Sequence, residues 1–186
     1  MRQIILDFPR QFSAGVKSAE NTFVSIVNGQ WSVVVIAGMG GSALPGELLK
    51  LLSAHLGWPI QINIHRNYGL PHYFTQHATG NTQQNKLIIC ISYSGNTEET
   101  LSAYKEAKKL NPPMAVITTG GELARLAKKD KTPLALIVPE SNIQPRAAIG
   151  YQLAALLKIL SNAKIIKSQD KNLLSLEKSL KPINLE

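Results

Sequence analysis

A three-layer αβα sandwich on a five-stranded parallel sheet is what this sequence predicts, from three observations. Five short apolar runs recur along the chain, helical patterns separate them, and glycine-rich turns follow the first and third runs. The runs fall at 33–37, 60–65, 87–91, 115–118 and 134–138. Unbroken apolarity at this length marks strands buried on both faces. Helical patterns at 43–55, 97–110, 122–129 and 147–160 alternate with them. That alternation implies a doubly wound sheet with right-handed crossovers, and a flavodoxin-like strand order 2-1-3-4-5 is expected.

At the N-terminus an amphipathic stretch over 8–28 predicts a helix laid against the sheet. The polar connection 73–86 has no helical period and is expected to be an exposed loop. After residue 160 the composition shifts toward Lys, Ser and Asn, and 172–180 is expected to be one last helix. At 186 residues and 44% hydrophobic, one core is affordable and two are not. The expected division is a ligand-binding domain over 1–165 and a C-terminal helix with linker over 166–186.

The net charge of +8 is spread along the chain rather than gathered into runs, so no nucleic-acid or membrane partner is expected. Locally, no Asp or Glu occurs between Glu47 and Glu98, whereas Lys50, Arg66 and Lys86 do, which suits an anionic ligand. The single cysteine, Cys90, lies in an apolar run and reads as a packed thiol in a reducing cytoplasm. The longest apolar stretch is far below membrane-spanning length.

Ligands of open parallel sheets bind beyond the carboxyl ends of the strands, where the strand order reverses. In the order 2-1-3-4-5 that crevice lies between the loops after strands one and three. Here these are GMGGS (38–42) and SYSGNTEET (92–100). Glycines let backbone amides approach a ligand, and Ser92, Ser94 and Thr97 add hydroxyls at a helix start, together a phosphate cradle that needs no metal. The structural alternative is that Asn96 or Thr97 caps the helix, with Glu99 completing a capping box. A further alternative is an NADP-binding domain, since GMGGSA fits G-x-G-x-x-A and Arg66 follows the second strand, although no acidic residue stands where a ribose would be held. None of the four histidines has an i, i+4 partner suggesting a metal site, so no metal and no cofactor are expected.

The segments GMGGSALPGELL, HRNYGLPHYF, SYSGNTEETL, ITTGGELARLA and PRAAIGYQL, in this order and spacing, resemble the N-terminal half of bifunctional phosphoglucose/phosphomannose isomerases, within the sugar isomerase (SIS) superfamily. The resemblance implies an SIS fold and a phosphorylated hexose ligand. It puts Gly41 and Ser42 beside the sugar and Ser92, Ser94 and Thr97 on the phosphate. Arg146 then lies over the reacting carbons, where a fixed cation stabilises an enediolate. Tyr68 and Pro71 match a loop that shapes the pocket rim. The implied partner is a second SIS domain or a homodimer.

Aldose–ketose isomerisation also needs a base between C1 and C2 and an acid/base for ring opening. In the family these belong to a glutamate in an N-E-N type motif and a histidine of a second domain, and neither motif occurs in this sequence. The expectation is therefore a substrate-binding half, from a fragment, a truncated product or a split enzyme, that is inactive alone. The alternative from another class is a non-catalytic sugar-phosphate-binding or sensing module.

Overall fold

Strand order 2-1-3-4-5, all parallel, is found in the computed structural model, which describes residues 2–24, 31–75, 85–140 and 143–180. The strands are β1 (Trp31–Ala37), β2 (Gln61–His65), β3 (Asn85–Ser92), β4 (Met114–Thr118) and β5 (Leu134–Leu136). The helices are α1 (Arg2–Asp7), α2 (Arg10–Ser18), α3 (Leu44–Leu56), α4 (His72–Thr75), α5 (Glu98–Leu110), α6 (Gly121–Lys129), α7 (Ile149–Asn162) and α8 (Asp170–Ser179).

The unbroken apolar runs have the predicted cause. In β3, Ile89 and Ile91 pack with α7 residues such as Leu156, while Ile88 and Cys90 pack with Ala103 and Tyr104 of α5 and Leu123 of α6. All of these are fully buried or nearly so, and each buried isoleucine is worth about 1.5–3 kcal/mol relative to exposure. Burial pushes the Cys90 thiol up to about 12, so it behaves as a small apolar group.

Two boundaries differ from expectation. Within the stretch 8–28 the helix is α2, which ends at Ser18 rather than continuing to 28, and α1 precedes the stretch as a separate helix. The Asn162 side-chain amide, at the end of α7, donates to the carbonyls of Ala19 (3.0 Å), Glu20 (3.3 Å) and Thr22 (3.0 Å), bonds that fix a turn there. Residues 25–28 of the pattern lie outside the described residues. The fifth strand stops at Leu136 because its partner β4 ends at Thr118, in register with Leu136. Val138, with no strand beside it, is exposed. The polar connection opens on the single turn α4, and 76–84 of it lie outside the described residues.

The last helix packs onto this unit: Leu173 joins the core, Lys158 pairs with Asp170 at 2.6 Å, and Glu177 accepts from the Ser13 amide at 3.2 Å. Among the described residues, no helix is long and apolar enough to cross a membrane.

Candidate functional site

Parallel strands place all their following loops on one edge of the sheet, and three of these loops meet there. After β1 the chain makes a 3-10 turn over Gly40–Ser42. A Cβ at Gly41 would lie 2.8 Å from the Arg146 backbone nitrogen, so the glycine allows this turn to rest on the 3-10 turn Pro145–Ala147 before α7. Ser42 is buried, and its Oγ accepts from the Tyr93 amide at 3.0 Å, which ties the first loop to the third. A hydroxyl that accepts one bond retains its own proton for donation.

The loop after β3 is braced from within. Ser92 is fully buried; its Oγ accepts from the Gly95 amide at 3.1 Å and lies 2.9 Å from Thr97 Oγ1. Ser94, exposed at the tip, accepts from the Asn96 amide at 3.2 Å. Thr97 occupies the N-cap position of α5 in extended backbone geometry, yet its side chain makes no cap bond to that helix. The capping alternative therefore does not describe α5. Asn96 instead caps its neighbour: Asn96 Oδ1 accepts from the Glu122 amide at 3.0 Å, at the start of α6. A helix start without a side-chain cap presents N–H donors and the positive end of the dipole, between the hydroxyls of Ser94 and Thr97.

The loop after β4, absent from the composition-based reading, closes the third side. Thr119 donates through its amide (3.0 Å) and its hydroxyl (2.6 Å) to the Tyr93 carbonyl. A Cβ at Gly121 would lie 2.3 Å from the Ser94 carbonyl oxygen. The Gly120-Gly121 pair directly after a strand was the signal available for it.

Arg146 lies in the turn Pro145–Ala147 with its side chain exposed. Among the described residues it forms no ion pair. Thus Gly41, Ser42, Ser92, Ser94, Thr97 and the backbone of Arg146 belong to one crevice edge. The three cations singled out by charge do not join them. Arg66 is bound to Glu47 at 2.5 Å, Lys50 is exposed on α3, and Lys86 stands over the Phe74 ring at the start of β3. That position is about 20 Å along the strand from Ser92. The engagement of Arg66 also weakens the NADP alternative.

At the rim, the loop after β2 is bound to α5. Tyr68 donates to Glu98 at 3.0 Å, the Gly69 amide to Ser102 at 3.0 Å, and the Leu70 amide to Glu106 at 2.7 Å. Among the described residues, no group of three or more His, Cys, Asp or Glu side chains is placed to hold a metal ion.

Residues 30–160 match the model of the SIS domain family. The chain is an SIS domain protein. It is 36% identical over 170 residues to a bifunctional phosphoglucose/phosphomannose isomerase of Caldicellulosiruptor bescii, a match covering 91% of this chain and 47% of that protein. A D-glucosamine-6-phosphate 4-epimerase of Sulfolobus acidocaldarius is 33% identical over 150 residues, covering 80% of this chain and 40% of its own length. The chain thus spans about half the length of these curated relatives or less. Among solved structures, the tagatose-6-phosphate ketose/aldose isomerase of Escherichia coli superposes with a TM-score of 0.64 at 17% identity, over 95% of this chain and 50% of that one. That likeness concerns the fold, which it shares.

Proposed function

We propose that this SIS domain holds a hexose 6-phosphate at the crevice beyond β1 and β3, as the substrate-binding half of an aldose–ketose isomerase acting on glucose 6-phosphate and mannose 6-phosphate. The observation that carries the reading is the start of α5, with no side-chain cap and flanked by Ser94 and Thr97. In this reading the phosphate accepts from the α5 amides and from Ser94 and Thr97, with Ser92 supporting Thr97 from beneath. Gly41 and Ser42 line the sugar, and Arg146 stabilises the charge of an enediolate. Proton transfer between C1 and C2 is left to groups of a second SIS domain, supplied by a longer chain or by a dimer partner, in the cytoplasm.

The relatives' names support this division. They name different reactions on phosphorylated sugars, an isomerisation and a 4-epimerisation, yet both proteins match this chain. Phosphate recognition therefore suits the shared part better than the chemical step does. The test is calorimetry with glucose 6-phosphate and fructose 6-phosphate against glucose, fructose and NADP. Binding restricted to the phosphorylated sugars is expected; equal binding of the free sugars, or tighter binding of NADP, overturns the phosphate assignment. Activity restored by adding a second domain separates the isomerase half from a sensing module, which would bind without turnover in either case.

A further inference from the structure

We infer that Gln11, on the N-terminal helix α2, is the positioning residue that sets Arg146 over the ligand; this rests on the phosphosugar reading of the site. Gln11 lies outside the stretch 30–160 that matches the family model. It is nevertheless 2% exposed, an unusual degree of burial for a long amide. Its Nε2 donates to the Ala147 carbonyl at 2.8 Å, and its Oε1 accepts from the Gly150 amide at 3.0 Å. One side-chain amide thus bridges the turn that carries Arg146 to the first turn of α7.

Two glycines admit this bridge. A Cβ at Gly150 would lie 2.8 Å from Gln11 Cβ, and one at Gly15 would lie 2.4 Å from the Tyr151 carbonyl oxygen, so α2 and α7 approach at backbone distance. Gly41 also packs closely against the Arg146 backbone. A second buried amide, Gln152, donates to the Pro145 carbonyl at 3.3 Å. The turn is thus held at Pro145, Arg146 and Ala147 while the Arg146 side chain stays exposed. That is the arrangement a fixed cation requires, because a guanidinium on a loose turn loses the orientation it contributes.

The alternative is that Gln11 only joins two helices. The ligands separate the two roles, since inorganic phosphate needs only the cradle at α5, whereas fructose 6-phosphate also reaches Arg146. Calorimetry on the full chain, well below each variant's melting temperature, is expected to show Gln11→Met weakening fructose 6-phosphate about tenfold, the scale of one or two lost buried hydrogen bonds. Inorganic phosphate affinity stays unchanged. In an Arg146→Ala background the same substitution changes fructose 6-phosphate affinity less than twofold, because the group it positions is gone. Should Gln11→Met fail to fold, Gln11→Glu, which keeps the volume and the acceptor for Gly150, is measured in the same cycle. A parallel loss of both ligands, an equal effect in both backgrounds, or no effect while Arg146→Ala weakens binding overturns the role of Gln11 alone. If the unaltered chain binds no fructose 6-phosphate, the phosphosugar reading fails and this inference falls with it. If Arg146→Ala leaves the affinity intact, the phosphate assignment stands and only the placement of Arg146 over the bound sugar, and with it the role of Gln11, is overturned.

Discussion

The loop after β3 and the turn before α7 face the same crevice but are braced by different parts of the fold. The first combines bonds among its own residues, Ser92 with the Gly95 amide and Thr97 and Ser94 with the Asn96 amide, with bonds to the neighbouring loops at Ser42, Thr119 and Glu122. Among the described residues, the second makes two backbone turn bonds of its own, Ala147 to Gln144 and Ala148 to Pro145. Gln11, 136 residues away from Ala147, completes it. A site element braced by its own residues and by the loops beside it does not depend on the N-terminal helix, whereas one completed from that helix depends on its docking.

The hardest test of this contrast is catalytic. In the proposed division neither region supplies the base; among the acids around them, Glu98 accepts from Tyr68 and Glu140 pairs with Arg10 at 3.8 Å. A coupled assay on residues 1–186 alone is expected to show no interconversion of glucose or mannose 6-phosphate with fructose 6-phosphate. Turnover abolished by Glu98→Gln or Glu140→Gln would place the base in this chain after all. Next in size is Gly95→Ala. Gly95 has φ +72°, and a Cβ there would lie on the Gly120 carbonyl oxygen, 1.9 Å away. Strain and overlap together are expected to cost about 3 kcal/mol or more in chemical denaturation. Gly40→Ala is the control. Gly40 also has positive φ, +50°, but open space around its Cβ position, so a loss of only about 1 kcal/mol is expected.

The same contrast explains what the sequence disclosed. Unbroken apolar runs follow from burial on both faces, as in β3 and β4, and the edge strand β2, where only Ile62 is buried, was legible instead from its isoleucines at every second position. So was the part of the β3 loop whose bonds join near neighbours, Ser92 to Gly95 and Thr97. The destination of α2 was not: an amphipathic pattern says that a helix has a buried face, but not that Gln11 on it reaches Ala147. Charge was misleading for a related reason. Counting Lys50, Arg66 and Lys86 by position ignores that β3 carries Lys86 away from Ser92 and that Glu47 takes Arg66. The role of Asn96 was hidden too, since its acceptor meets the start of α6 rather than that of α5.

Within the local loop, adjacent residues divide between binding and folding. Ser94→Ala and Thr97→Ala are each expected to weaken hexose 6-phosphate binding by about 1–3 kcal/mol, the scale of a charge-assisted hydrogen bond. Asn96→Ala is expected to do the reverse, lowering stability by about 1 kcal/mol through the lost cap of α6 with affinity nearly unchanged. Paired melting curves and titrations of the three variants check this, and a Thr97→Ala that lowers only the melting temperature would return that residue to a structural role.

The smallest effect is expected at Tyr68, which shows that burial rather than span gives a distant bond its weight. Its hydroxyl reaches Glu98 across 30 residues, yet both side chains are exposed and water competes for each. The hydrogen bond to Glu98, and then the negative charges of Glu98 and Glu99, raise the Tyr68 phenol above its ordinary value. A raised folded-state value means that the bond stabilises the fold below the ordinary phenol pKa of about 10 and that this contribution disappears as the pH rises through the folded-state value. Tyr68→Phe should therefore melt with the unaltered chain at pH 7, and its stability should fall slightly less than that of the unaltered chain as the pH rises beyond 10. A clear loss of stability at neutral pH would contradict this and put the rim contact on the same footing as the buried amide of Gln11.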